Sequence, residues 1–300
     1  MWAIAINPQS GRGRGLVVAA EVVDYFAKRQ IQYRPFSGAT ANELKRDLES
    51  FLSSNECEGV ISVGGDGLAH LILQLVVPRN IPFAPMPAGT GNDIVRTLGW
   101  SLDDVTSYLD RVTQEAPKPI DLGNVDSEWF AAILSTGFDS VVNERANSLT
   151  WPKGPQRYNV AIAMELPRFQ PLRYEIELDT EKISTEAMLI AIGNGRSYGG
   201  GMYVCPQAQL NDGLFDVMIL EPVSKVEFLK VFPKVYSGSH ISHPKVKILR
   251  SSKVKLTAEA IAYADGERIG PAPISAECVR GAGLTSVSYT HLTLPTKRIV

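Results

Sequence analysis

The chain is 300 residues long, 44% hydrophobic and 21% charged, a balance that excludes a disordered, collagenous or disulfide-stapled chain. Lys and Arg number 30 against 32 Asp and Glu, so the net charge of −2 gives no global drive toward nucleic acid, which is not expected as a partner. Two domains are a better expectation than one, because single cores stop growing near ~250–300 residues.

In chain order, 2–6 reads as a short apolar strand and 7–15 as a Gly/Arg loop. Leu16, Ala20, Val23 and Ala27 then recur at helical spacing, which predicts an amphipathic helix over 16–29. A strand follows over 31–36, then a helix over 43–52 with Thr40 as its N-cap. Next come a buried strand at 60–63, a buried helix at 68–77, a strand at 82–86 and short helices at 94–98 and 105–112. This alternation predicts a parallel sheet covered on both faces.

Near 120 the rhythm changes. Segments 120–125 and 129–135 read as a hairpin turning at Asp126 and Ser127. Short strands are expected over 174–178, 188–192, 214–220, 246–249, 254–257, 261–263 and 274–278, with helices near 157–166 and 223–236. Strands without helices between them predict an antiparallel sandwich. The expected fold is an N-terminal α/β domain with a parallel sheet, 1–123, followed by a C-terminal antiparallel β-sandwich, 124–285. The last stretch, 286–300, follows neither period and is expected to be a non-native or disordered tail.

Cys57, Cys205 and Cys278 are odd in number and far apart, which disfavours a disulfide framework or a zinc site and suits a reducing compartment. No window approaches the ~18–20 apolar residues of a membrane span, and the N-terminus lacks the basic region of a signal peptide. A cytoplasmic location is expected.

Four glycine-rich segments carry candidate chemistry. Asn7-Pro8-Gln9-Ser10-Gly11-Arg12-Gly13-Arg14-Gly15 follows the first strand; it suits an anion-binding loop or an ordinary strand-to-helix turn. Gly64-Gly65-Asp66-Gly67 follows a strand and opens a helix, where a phosphate can approach the backbone. Asp66 would repel a bare phosphate. It makes sense with Mg²⁺ between carboxylate and phosphate, or as a plain helix cap. Pro87-Ala88-Gly89-Thr90-Gly91-Asn92-Asp93 is the third loop, with a hydroxyl and a second carboxylate. Asp265-Gly266-Glu267 reads as a hairpin turn that presents acids.

Together with the stretch 193–217, GNGRSYGGGMYVCPQAQLNDGLFDV, these segments resemble the bacterial soluble diacylglycerol kinase and lipid kinase family, whose catalytic domain is related to sphingosine kinases and distantly to NAD kinases. The resemblance runs in order from about Ala3 to Cys278. It implies a nucleotide-binding N-terminal domain, a sandwich after it, an active site in the cleft, and a last native strand that returns to the first domain. It implies ATP as phosphoryl donor on Asn7, Ser37, Gly64, Gly65, Asp66, Gly67, Gly89 and Thr90. Asp66, Asp93 and Asp121 would form a carboxylate network for Mg²⁺. Glu267, with Asp265 beside it, would be the catalytic carboxylate. Gln209, Asp212 and Leu214 would hold a second, structural Mg²⁺, Asp212 by its side chain and the others by carbonyls. One departure stands out: the family has Thr after GGDG and this chain has Leu68, so a hydroxyl that could bond phosphate or cap the helix is missing.

The implied activity is ATP- and Mg²⁺-dependent phosphorylation of the hydroxyl of diacylglycerol or a related lipid, in phospholipid metabolism. The alternatives are a kinase of NAD or a sphingoid base, and a non-catalytic nucleotide or lipid sensor. The implied partner is a lipid substrate met transiently at the inner face of the membrane; a homodimer is the other partner considered. Lys225, Lys230, Lys234, Lys245, Lys247, Arg250, Lys253 and Lys255 stand against one acid, Glu227, over 225–255, a basic surface that either attracts anionic lipid or is simply solvated.

Overall fold

The computed structural model describes residues 1–151 and 156–286, so the tail expected over 286–300 lies, from Val287 on, outside the described residues. The described residues divide into two compact units: Met1–Ile120 together with 281–286, and Asp121–Arg280.

The first unit alternates β1 (Trp2–Ile6), α1 (Arg14–Lys28), β2 (Tyr33–Phe36), α2 (Ala41–Ser54), β3 (Val60–Gly64), α3 (Asp66–Val76), β4 (Phe83–Pro87), α4 (Asp93–Thr97) and α5 (Val105–Gln114). The strands pair parallel in the order β2-β1-β3-β4. Every residue of β3 and β4 is buried, as a strand covered on both faces requires. Helix α1 buries Val18, Ala19, Val22, Tyr25 and Phe26, one stripe at helical spacing that joins the core with Ile4, Ile61 and Met86. The Thr40 cap is present: its hydroxyl accepts the Glu43 N–H at 3.2 Å. The order of strands reverses direction at β1, with β2 on one side and β3 on the other. In open α/β sheets that switch point opens a crevice at the carboxyl ends of the strands.

The second unit holds most of β5 (Lys118–Val125), then β6 (Glu128–Phe130), β7 (Ile133–Gly137), α6 (Phe138–Ser148), α7 (Gln156–Glu165), β8 (Leu172–Leu178), β9 (Lys182–Ala187), β10 (Leu189–Gly193), β11 (Phe215–Leu220), α8 (Lys225–Val231), β12 (Val246–Ser251), β13 (Lys253–Thr257), β14 (Ile261–Ala264) and β15 (Glu267–Pro271). β16 (Ile274–Thr285) completes the set, and the division between units falls within β5 and β16. Two six-stranded sheets, β12-β11-β10-β7-β14-β15 and β6-β5-β16-β13-β8-β9, form the sandwich. Phe130, Tyr174, Ile190, Phe215, Val217 and Leu256 are among the residues filling its core.

Several details differ from expectation, among them the strand β9 and the extension of β16 beyond 278. The strand expected over 129–135 is two strands in different sheets, β6 and β7, parted at Ala131 and Ala132. The reason is chemical: both N–H groups there donate to the Asp265 carboxylate, at 2.9 and 2.8 Å, instead of to a neighbouring strand. Helix α6 was not expected; the apolar stripe it buries is thin, Phe138, Val142 and Ala146 with the polar Ser140 beside them. The helix expected over 223–236 is α8 followed by a 3₁₀ turn, Phe232–Ser237. Among the described residues no helix is long and apolar enough to cross a membrane.

Candidate active site

In the first unit the glycine loops meet. The loop after β1 makes three successive left-handed residues, Gly11, Arg12 and Gly13 (φ 54°, 60° and 97°). A Cβ on Gly11 would lie 2.3 Å from the Ala88 carbonyl oxygen, and one on Gly89 would lie 2.5 Å from the Gly65 Cα. No side chain fits at either place, so there the loops pack backbone against backbone. Asn7 holds its own loop by accepting the Gln9 N–H at 3.0 Å on Oδ1. Asn92, left-handed at φ 54°, closes the third loop: its Oδ1 accepts the Gly89 N–H at 2.7 Å and its Nδ2 donates to the Gly89 oxygen at 3.0 Å. Thr90 stands exposed on this loop, and Ser37 is exposed just after β2.

Asp66 is the first residue of α3, and its Oδ1 accepts the Ile94 N–H at 3.0 Å. That bond brings the carboxylate to the start of α4, whose first residue is the buried Asp93. A phosphate between these loops would face backbone N–H groups and a helix N-terminus, with two carboxylates at one side. Those hard oxygens are the donor chemistry of Mg²⁺ bridging to phosphate. Leu68 packs over Gly64, whose Cβ would fall 2.7 Å from Leu68 Cδ2; the residue that departs from the family is part of the core.

In the second unit the Asp265-Gly266 pair takes φ 52° and 89°, the two left-handed positions of a tight hairpin turn between β14 and β15. The carboxylate of Asp265 turns inward and is committed to the Ala131 and Ala132 N–H groups. Glu267, two residues on, is exposed. Helix α6 braces the hairpin: Glu144 Oε1 accepts from Tyr263 Oη at 2.8 Å and from Arg268 Nε at 2.7 Å. The Arg268 bond, then the Tyr263 bond, hold the Glu144 carboxyl below its usual range. Burial raises the phenol of Tyr158 on α7, the Arg157 charge opposes that rise, and the Glu267 charge adds to it.

Asp121 is buried, and its Oδ2 accepts the Gly213 N–H at 2.6 Å, so its side chain serves the loop of Gln209, Asp212 and Leu214. In that loop Asp212 Oδ1 accepts the Leu214 N–H at 3.0 Å, and Asp212 Oδ2 receives the Arg250 guanidinium. Arg250 Nε also donates to Asp216 Oδ1 at 3.2 Å. Gln209 is exposed. Both Asp212 oxygens are thus engaged, and among the described residues no group of three or more His, Cys, Asp or Glu is arranged to hold a metal. As arranged, the Arg250 guanidinium and the Leu214 N–H hold the Asp212 carboxylate.

Two residues of the site carry no sequence signal of their role. Asn194, fully buried, donates from Nδ2 to the Asp121 oxygen at 3.0 Å and to the Ala131 oxygen at 2.7 Å. It ties together the strands that carry Asp121 and the Asp265 acceptor site, and only its place between Gly193 and Gly195 could have drawn notice. Asp139 is the second residue of α6, and its Oδ1 accepts the Ser140 N–H at 2.8 Å; burial pushes its carboxyl up to about 6.

Residues 1–125 match the diacylglycerol kinase catalytic domain, and residues 132–285 match the YegS C-terminal NAD kinase beta sandwich-like domain. A diacylglycerol kinase of Mycobacterium tuberculosis is 34% identical over 283 residues, covering 92% of this chain and 91% of that protein. A diacylglycerol kinase of Bacillus subtilis is 27% identical over 300 residues, covering 98% and 96%. The crystal structure of a diacylglycerol kinase from Bacillus anthracis shares the fold, with a TM-score of 0.72 at 18% identity over 95% of this chain and 96% of that one. Matching domains across both units and 34% identity to one relative over 283 aligned residues make this chain a member of the diacylglycerol kinase family, kinases that transfer phosphate to a hydroxyl group.

Proposed function

We propose that this kinase transfers the γ-phosphate of ATP to the hydroxyl of diacylglycerol or a closely related lipid. The single observation that carries the reading is the division of labour between the two acids of the hairpin. Asp265 is spent on two buried N–H groups, and Glu267 is left exposed on the turn that Asp265 fixes. A lone exposed carboxylate on a rigid turn suits a general base, whose position matters as much as its basicity.

Phosphoryl transfer asks mainly for positioning and charge neutralisation. The backbone of the loops at Gly11–Gly13, Gly64–Gly67 and Gly89 holds the phosphates, with Asn7, Ser37 and Thr90 toward the nucleotide. Asp66 and Asp93 would hold Mg²⁺, whose charge would offset that of the phosphates. Glu267 accepts the proton of the acceptor hydroxyl as its oxygen attacks in line. Asp121 and Asp265 position backbone rather than react.

The names of the relatives support diacylglycerol as acceptor, while the NAD kinase-like description of the second domain favours testing NAD beside it. Incubation with labelled ATP and Mg²⁺ against short-chain diacylglycerol, a sphingoid base and NAD decides the matter. Label in diacylglycerol is the expected result. Transfer to NAD or the sphingoid base alone overturns the acceptor, and ATP binding without transfer to any of them makes the chain a sensor.

A further inference from the structure

Of the eight basic residues between 225 and 255, most are occupied. Lys225 donates to the Phe169 carbonyl, Lys245 and Lys247 pair with Glu221, Arg250 with Asp212 and Asp216, and Lys253 with Glu277. A diffuse basic face is therefore not what this region offers. Lys230, Lys234 and Lys255 are exposed, and among the described residues none of the three has an ion pair; Lys255 lies on β13, away in sequence from the other two.

Lys230 and Lys234 sit on one helical rod, α8 running into its 3₁₀ turn through a helical Phe232. The inner face is ordinary core: Phe228 and Val231 are buried, and Phe228 meets Phe138 edge-on at 5.0 Å. The outer face should then be polar. Instead it carries Val226, Leu229 and Tyr236, 64%, 57% and 55% exposed, with the exposed Pro233 between them. Spacings of three and four place them on one side of the rod. Tyr203, 44% exposed, adjoins this stripe, because its N–H donates to the Val235 oxygen at 2.9 Å. The rod's one acid, Glu227, caps the helix at Ser224 and lies 3.2 Å from His243.

We propose that this outer face docks the enzyme on an anionic phospholipid bilayer, with Val226, Leu229 and Tyr236 entering the headgroup boundary and Lys230 and Lys234 meeting the lipid phosphates. An amphipathic helix in the plane of a membrane has this composition: an apolar stripe, flanking cations, and aromatic rings with one polar end for the interface. The cations select the occupant, since two unpaired lysines beside an apolar stripe complement an anionic surface. The inference rests on the proposed lipid acceptor, which would lie in such a bilayer while no described helix crosses one.

The test uses the full chain and sedimentation with vesicles of phosphatidylcholine alone or mixed equally with phosphatidylglycerol. The native chain should prefer the anionic vesicles. Leu229→Asn with Tyr236→Ser should weaken partition about tenfold or more, and Lys230→Glu or Lys234→Glu about fivefold each on anionic vesicles only. All variants should keep native turnover on short-chain diacylglycerol dissolved in water and lose it on the same acceptor held in vesicles. Native partition and vesicle turnover in these variants overturn the docking face. So does a native chain that binds no vesicle, or a change in oligomeric state with vesicle binding unaltered, which makes the face a contact between copies. Absence of transfer to the dissolved acceptor instead defeats the acceptor reading, leaving the vesicle measurement to stand alone.

Discussion

At Gly65 and Gly89 in the first unit, two loops pass so closely that a Cβ would collide with backbone. At Asp265 and Glu267 in the second, a turn of similar composition is held open by a side chain that accepts two buried N–H groups. The first region works through the absence of side chains and the second through their presence. Binding a polyanion asks for many weak donors brought near it, which backbone supplies. Taking a proton asks for one basic atom held in place, which needs a second residue to do the holding.

That contrast can be broken at the acid itself. Glu267→Gln should lower phosphate transfer by about 10²–10⁴, the usual contribution of a general base, while ATP titration and thermal midpoint stay native. Turnover at the native rate would remove Glu267 from the mechanism.

Next in size is the holding residue. Asp265→Ala strands the Ala131 and Ala132 N–H groups, each costing about 1–3 kcal/mol when buried without a partner. Urea unfolding should show the sum, and turnover should fall with it. A variant as stable as the native chain would mean that the two strands part at Ala131 for another reason.

Asp139 sharpens the same point, as a carboxyl buried by the fold of the second unit. Its folded value of about 6 lies above the ordinary value of 3.8, so the folded state binds the proton more tightly than the unfolded state. The associated stability is complete below the ordinary value and is lost as pH rises through about 6. The loss amounts to about 2–3 kcal/mol at ~1.4 kcal/mol per unit. Asp139→Asn, neutral at every pH, should flatten that decline in urea midpoints measured across the range; an unchanged slope would assign it to other groups.

The smallest effect belongs to the first region. Gly89→Ala should force the loops apart at a cost of about 1–3 kcal/mol, the range for overpacking. It should weaken ATP binding in calorimetry by more than it lowers turnover at saturating ATP. Equal ATP affinity would show that the loop contact serves the fold alone.

The sequence by itself determined the alternation of strand and helix through residue 114, the hairpin turns at Asp126 and Asp265, and the glycine loops, because each of these is written in local periodicity or in residues that tolerate positive φ. Glu267 and Asp265 were legible as a pair of acids, yet which one is committed to backbone was not. That was decided by Ala131 and Ala132, more than 130 positions away, whose N–H groups lack a strand partner. The same holds for Arg250 beside Asp212, for Asn194 beneath Asp121, and for the apolar outer face of α8. Each depends on which groups long loops bring together, and no local pattern encodes a partner that is distant along the chain. Only the tertiary structure assigns buried polar groups to one another, because an unpaired one costs too much for the fold to leave the choice open.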